Sequence, residues 1–417
     1  MFNRLLFSHP TGNANVRAAL TGLFEAGILK EFQTTIASYP GNLCGMLGKS
    51  QWGREFQRRQ FDQRLCSSTR QHPFREIGRM VATRLNLHRL VRHETGIFCI
   101  DAVYRAQDRF TARRLRGAPE AFTGVYAYED GALETLTAAE EHGLSGIYEL
   151  PIGYWRAARN VLQGEFKRMP EWASTLTGFK DSTEKLSRKD AELAKAGKIV
   201  VASSFTAFTL KDYPGKLAPP IVVPYGFPAV SSEPERSLRG LVTNQQPLRL
   251  LFVGGLSQRK GIADLFAAVK ILKTKVSLTV IGNKVTTDCP ALDHELARHR
   301  WITSLPHDGI LEEMRSHDVF VFPSLFEGFG LVITEAMSQG LPVVTTERTA
   351  GPDLIKHGEN GWLIKAGSTE DLVQELEKLV ENPKLVRAAG ILARRTAATR
   401  PWSVYGRELA HAITTSL

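Results

Sequence analysis

Short runs of consecutive apolar residues alternate with stretches of helical periodicity along most of this chain. Residues 4–7 (RLLF), 124–128 (GVYAY), 146–150 (GIYEL), 199–202 (IVVA) and 221–223 (IVV) are such runs in the first half. Residues 248–253 (LRLLFV), 277–281 (SLTVI), 319–322 (VFVF) and 343–345 (VVT) repeat the pattern in the second. A half-solvated strand alternates apolar with polar, whereas a strand covered on both faces, as in a parallel sheet, is apolar at successive positions. Between these runs, residues 16–26, 132–142, 156–198, 262–273, 310–316 and 331–340 read as helices, with Gly27 closing the first of them. Residues 45–95 lack strand alternation and predict one or two amphipathic helices with a basic face. The alternation of strand and helix predicts an α/β fold class built on doubly wound parallel sheets, one in each half. From 231 to 247 (SSEPERSLRGLVTNQQP) the periodicity lapses, as in an exposed connection.

Residues 318–346 (DVFVFPSLFEGFGLVITEAMSQGLPVVTT) hold the densest candidate chemistry. The stretch reads as strand, loop, helix, turn, strand. Gly328 and Gly330 stand where the helix begins, so backbone N–H groups there can approach a ligand without a Cβ in the way. Unpaired N–H groups and the helix dipole make such a place a seat for phosphate. Glu327 precedes the glycines and Glu335 lies one helical turn past them. One carboxylate can then face a sugar ring, while the other accepts hydrogen bonds from a ribose diol. A second loop, LFVGGLSQRKG at 251–261, places Arg259 and Lys260 directly after a strand, where two cations would grip a diphosphate.

The pattern PS-x(2)-EGFGL-x(3)-EAM-x(2)-G-x-PVV resembles the donor loop of the retaining family-4 glycosyltransferases, which have the GT-B fold. The likeness covers roughly residues 198–417 well and the first half only in outline. It implies two Rossmann-like domains facing a cleft: 1–225 for the acceptor, 226–395 for a nucleotide-diphosphate sugar, and a helix in 396–417 crossing back. It implies transfer of a sugar to a glycan, lipid-linked or other hydroxyl acceptor by front-face substitution, with no protein nucleophile, no cofactor and no metal. The chain has no D-x-D pair, the usual metal anchor of the other large transferase fold. Donor contacts are implied at Gly255, Arg259, Lys260, Glu327, Gly328, Phe329, Gly330, Leu331, Val332 and Glu335, with Ile302 and Ser304 near the base. Two departures stand out. Gly255 occupies the place of an arginine that usually follows the V-G pair, with Arg259 as its replacement. Tyr128 occupies the place of a histidine close to the reacting sugar, which leaves Glu129 or Asp130 to position the acceptor or take its proton.

In the first half, Gly12 and Asn13 lie in the turn between the first strand and first helix, where an α/β domain opens its crevice. They are candidate contacts to donor phosphate or acceptor, although the turn lacks the G-x-G-x-x-G fingerprint. Charge is unevenly spread: residues 1–230 hold 31 Lys/Arg against 22 Asp/Glu, residues 231–417 hold 22 against 21. Residues 49–92 alone hold 11 against 3. This basic, apolar-interleaved stretch reads either as an anionic membrane surface contact or as a solvated helix face. No recognition motif accompanies the charge, so nucleic acid is not predicted as a partner. Cys44, Cys66, Cys99 and Cys289 show no C-x-x-C spacing, and the opening MFNRLLFSHPTG is no signal peptide, which together predict a cytoplasmic protein, peripheral on the membrane at most. Rival readings are a non-catalytic sugar-nucleotide or membrane-surface binding protein, a GT-B nucleotide-sugar epimerase, and a glycosidase using Glu327 and Glu335 as a carboxylate pair.

Overall fold

The computed structural model describes residues 4–39, 59–230 and 246–415; the connection read at 231–245 and the first part of the basic stretch, 49–58, lie outside them. One sheet has seven strands: β1 Leu5–Ser8, β2 Leu29–Thr34, β3 Thr69–Gln71, β4 Gly124–Tyr128, β5 Ser145–Leu150, β6 Lys198–Val201 and β7 Pro220–Val222. Their spatial order is β3-β2-β1-β4-β5-β6-β7. The other has six: β8 Leu248–Val253, β9 Val276–Ile281, β10 Arg300–Ile302, β11 Val319–Phe322, β12 Val343–Thr346 and β13 Gly361–Ile364, in the order β10-β9-β8-β11-β12-β13. All these pairings are parallel. In each sheet the winding reverses once, between β1 and β4 and between β8 and β11. Crevices for ligands open at the carboxyl ends of strands flanking such a reversal.

The apolar runs become strands because both faces are covered: β1, β4, β6, β11 and β12 are buried along their whole length. β2, β3 and β13 are not anticipated by the sequence reading. β2 (LKEFQT) buries Glu31 and Gln33, which a periodicity argument counts as surface residues. Glu31 is satisfied there by Arg114 Nε at 3.1 Å, Arg70 Nε at 3.1 Å and Gln33 Nε2 at 2.7 Å. The single helix read over 156–198 is two, Trp155–Arg168 and Thr183–Lys195. Pro170 breaks the run, and Ser182 caps the second helix by accepting from Lys185 N–H at 3.1 Å. The intervening segment crosses to the second sheet's half: Trp172 stacks on Phe266 at 5.8 Å, and Arg168 grips Asp264 through two bonds of 2.7 Å. Of the basic stretch, the described part holds one α-helix, Phe74–Arg84, preceded by a short 3-10 turn and β3.

After the last strand, helices Thr369–Glu381 and Pro383–Thr399 lead to Trp402–Thr415, which returns to the first half and packs along Ala14–Glu25. The two helices touch at glycines. A Cβ on Gly406 would stand 2.5 Å from the Ala18 carbonyl oxygen, and one on Gly22 would stand 2.2 Å from that of Gly406. Tyr405, Leu409 and Ile413 complete the buried seam. Gly406→Val is therefore expected to overpack this contact and cost about 1–3 kcal/mol, read as a lower midpoint in urea unfolding. An unchanged midpoint would mean that the returning helix contributes no stability.

Candidate active site

A cavity of about 390 Å³ lies between the carboxyl edges of the two sheets. Both reversal points contribute to it. Asn13 comes from the turn after β1 and Asn15 from the start of helix Ala14–Glu25, Val253, Gly254, Gly255 and Lys260 from the end of β8 and the loop after it, and Phe322, Glu327, Phe329 to Val332 and Glu335 from the end of β11 and its loop and helix. Pro151, after β5, and Tyr225, after β7, close the wall on the first-sheet side.

The β8 and β11 loops brace each other. The Arg259 carbonyl accepts from Leu325 N–H at 2.9 Å and Ser324 Oγ at 3.2 Å, while the Arg259 guanidinium donates to the Phe326 carbonyl at 2.8 Å. Glu327 Oε2 lies 3.2 Å from Arg259 Nη1 and is also ion-paired with Lys260 Nζ. The Lys260 ammonium sits 4.8 Å from the centroid of the Phe322 ring, a cation–π contact. Burial, and secondarily the charge of Arg259, push the Lys260 ammonium well below its usual pKa, while the contact with Glu327 acts in the opposite direction. Burial lowers Arg259 as well. Gly330, at φ +85°, turns the chain into helix Leu331–Ser338, whose first residues line the cavity. Glu335, about one turn into that helix, also lines it. Burial raises the Glu335 carboxyl, opposed by His307 at 4.0 Å.

Thus Gly255, Lys260, Glu327, Phe329, Gly330, Leu331, Val332 and Glu335 share one wall, and Arg259 sits just behind it. Other predicted residues are placed elsewhere. Gly328 does not line the cavity; it touches the first-sheet half. A Cβ there would stand 2.3 Å from the Pro151 carbonyl oxygen and 2.5 Å from Ile152 Cα, and the Gly328 carbonyl accepts from Ser203 Oγ and, at 2.9 Å, from Thr206 Oγ1. The glycine serves close approach of two chain segments rather than of a ligand. Gly12 is likewise buried against the Phe61 ring, and its neighbour Asn13 takes the lining position. Ile302 ends edge strand β10, where its carbonyl accepts from Gly282 N–H at 2.9 Å, and neither it nor Ser304 lines the cavity.

Tyr128 and Glu129 also stand outside the lining. The Tyr128 ring is buried among Phe7, His9 and Tyr126, 4.5 Å from the His9 centroid, so the packing of β4 and not the cavity claims it. Glu129 is buried and ion-paired with Lys189 at 3.2 Å; Asp130 faces Arg188 at 3.4 Å. Both carboxylates tie the end of β4 to helix Thr183–Lys195. In their stead the cavity has a polar relay that carries no motif. Asn15 Nδ2 donates to Tyr225 Oη at 3.3 Å, and Tyr225 Oη donates to Glu149 Oε1 at 2.6 Å. Tyr126 Oη donates to the other Glu149 oxygen at 2.5 Å. Burial raises the Glu149 carboxyl and the tyrosine bonds counter it. The only trace in the sequence is an acid in the apolar run GIYEL.

Residues 235–396 match the family model described as Glycosyl transferases group 1. Among curated proteins, the chain is 37% identical over 180 residues to sulfoquinovosyl transferase SQD2 of Arabidopsis thaliana (40% of this chain, 34% of that protein). It is 30% identical over 181 residues to the amylovoran biosynthesis glycosyltransferase AmsK of Erwinia amylovora (40% of this chain, 44% of that protein). The chain thus spans less than half the length of these relatives. Among solved structures, sucrose-phosphate synthase from Thermosynechococcus elongatus superposes with a TM-score of 0.66 at 14% identity, covering 99% of both chains. Anabaena HepE in complex with UDP gives 0.62 at 16% identity over 100% of both. The fold is GT-B.

Gly328→Ala is expected to force Pro151 and the β11 loop apart and to cost about 1–3 kcal/mol. Gly164, which has no atom within 4 Å of a built Cβ, lies inside a helix, where Gly164→Ala should instead gain up to about 1 kcal/mol. Thermal unfolding of the two variants side by side checks the contrast; equal midpoints would remove the packing role assigned to Gly328.

Proposed function

We propose that this chain, whose residues 235–396 are a glycosyl transferases group 1 domain, is a retaining glycosyltransferase that moves a sugar from a nucleotide-diphosphate sugar to a hydroxyl acceptor. One observation carries the reading: Lys260, Arg259 and the N-terminus of helix Leu331–Ser338 converge on the wall that also presents Glu327 and Glu335. Two cations and the opening turn of a helix suit a diphosphate. Glu335, deeper along the helix, suits a ribose diol, and Glu327 a sugar hydroxyl. The relatives named as sulfoquinovosyl and polysaccharide-building transferases, and the structural neighbour holding UDP, support the same ligand class.

In this reading the anomeric carbon–oxygen bond to the diphosphate breaks as the acceptor oxygen forms its bond on the same face. Charge growing on the departing phosphate oxygen is met by Lys260, Arg259 and the helix amides. The acceptor's proton passes to that phosphate oxygen, so atoms balance without a protein nucleophile. Glu327 is poorly suited to glycosidase chemistry, because one of its oxygens is shared by both cations. Asn13, Asn15 and Tyr225 form the opposite wall and would face the acceptor, whether glycan, lipid-linked or small molecule. We further propose that no metal is needed, since the cations of the chain supply the neutralising charge. Among the described residues, the His93, Glu94 and Asp181 group is close enough to share a cation, and none of the three lines the cavity.

A panel of UDP-, GDP- and ADP-sugars in the presence of chelator tests this. One donor should raise the unfolding midpoint and be slowly hydrolysed. Lys260→Ala should cut turnover about 10²–10³-fold, the loss typical of removing one group that stabilises developing negative charge. Glu327→Ala should also weaken donor use. Stabilisation without turnover on any acceptor would favour a binding protein, and a strict requirement for a divalent ion would overturn the metal-free reading.

A further inference from the structure

Helix Phe74–Arg84 buries Glu76 beside Met80 and Ala82 and leaves a second apolar stripe outward. Glu76 is fully buried, bonded to Arg59 and to Arg79 Nε and Nη2 at 2.8 and 2.6 Å. Phe74, Ile77, Val81 and Leu85 fall on one stripe of the helix and its end, at i, i+3, i+7 and i+11. They are 67%, 47%, 36% and 61% exposed. The turns that follow widen the patch with Leu87, Ile97 and Ile100, all exposed. The two parts are packed together: the Phe98 ring meets Phe74 edge-on at 6.0 Å and covers Gly78, while Arg75 donates to the Ile97 carbonyl. Seven of the fifteen exposed large apolar residues among the described ones lie in these 27 positions, so this is a patch and not scatter.

Its charge has one sign. Arg84, Arg89 and Arg92 are exposed. The acids in residues 74–100 are Glu76, buried, and Glu94, half-buried and accepting from Ser182 N–H at 2.8 Å. A protein partner's rim is commonly met by mixed charges, whereas an apolar stripe flanked by exposed arginines matches acyl chains beneath phosphate headgroups. No helix among the described residues is long and apolar enough to cross a membrane, so the contact would be a docking one.

We propose that the face of Phe74, Ile77, Val81, Leu85 and the following turns docks this protein on the surface of an anionic membrane. The helix starts just after β3, at the carboxyl edge of the first sheet, where the cavity also opens. Glu76 connects through Arg59 to Thr35 Oγ1, at 3.4 Å from Arg59, and Thr35 donates to the Pro10 carbonyl at 2.5 Å in the turn that carries Asn13 and Asn15. The helix is thereby tied to the turn that leads into one wall of the cavity. The proposal stands apart from the transferase reading and would survive its failure.

Flotation of the full chain with phosphatidylcholine vesicles, with and without phosphatidylglycerol, tests it. The wild type should float with the anionic vesicles and stay behind with the neutral ones. F74S/I77S/L85S should weaken flotation more than about tenfold, and R89S/R92S should abolish the preference for phosphatidylglycerol and its salt sensitivity. Arg89 and Arg92 are exposed, so the arginine variant should keep the wild-type unfolding midpoint, whereas Phe74 also packs on Phe98. The arginine set keeps the test open if the apolar set lowers that midpoint. Failure of the wild type to float with anionic vesicles overturns the proposal. So does flotation indifferent to both variants, or a dimer in light scattering that F74S/I77S/L85S converts to monomer.

Discussion

Two cations side by side in a half-buried wall repel each other and lose hydration, and the arrangement persists only if an anion faces them. Lys260 and Arg259 are in that position, and a single oxygen of Glu327 answers both. The surrounding loops depend on this contact. Arg259 reaches it while its carbonyl holds Ser324 and Leu325 and its guanidinium holds Phe326, so the β8 loop and the β11 loop are clamped at one residue. The clamp in turn fixes where Gly330 turns and where the amides of helix Leu331–Ser338 point. A ligand bringing two or more negative charges would meet a wall already short of anionic partners.

The cavity wall that carries Lys260, Glu327 and Glu335 was legible because it is local. Strand, loop and helix follow one another within 318–346, and the spacing of Glu327, Gly330 and Glu335 survives folding unchanged. The opposite wall was not, because its members are far apart in sequence: Asn15, Glu149 and Tyr225 meet only when β1, β5 and the end of β7 are laid side by side. Tyr128 and Glu129 stand outside the cavity lining for a related reason. Their place at a strand end was right, but the sequence does not say what lies across from them, and His9, Phe7 and Lys189 claim them. Gly328 shows the same ambiguity in another form. A glycine signals that something comes close, and here it is Pro151 and Ile152.

The α/β class and most strands followed from the apolar runs. β2 escaped because its buried Glu31 looks like surface until Arg114 and Arg70 are seen beside it. Helix Phe74–Arg84 inverts the argument in the same way. A basic amphipathic segment reads as solvated charge over an apolar inner face, whereas Arg59 and Arg79 neutralise Glu76 inside and leave Phe74 and Leu85 outside. In both elements a long-range ion pair overrides periodicity, the signal on which sequence reading rests.

The measurement that bears most directly on the account is proton uptake at Lys260 when a nucleotide-diphosphate sugar binds, obtained by calorimetry in buffers of different ionisation enthalpy. Burial and Arg259 push the free ammonium down while its contact with Glu327 opposes them; a facing diphosphate raises it. Above the lowered value, binding must therefore take up a proton, and affinity must fall as pH rises through it. Lys260→Arg, which keeps its charge across that range, should bind without uptake and with a flatter pH profile. Uptake in the wild type and its absence in Lys260→Arg would place the diphosphate on this wall. Tight binding with no uptake in either protein, and the same pH profile for both, would contradict the central claim.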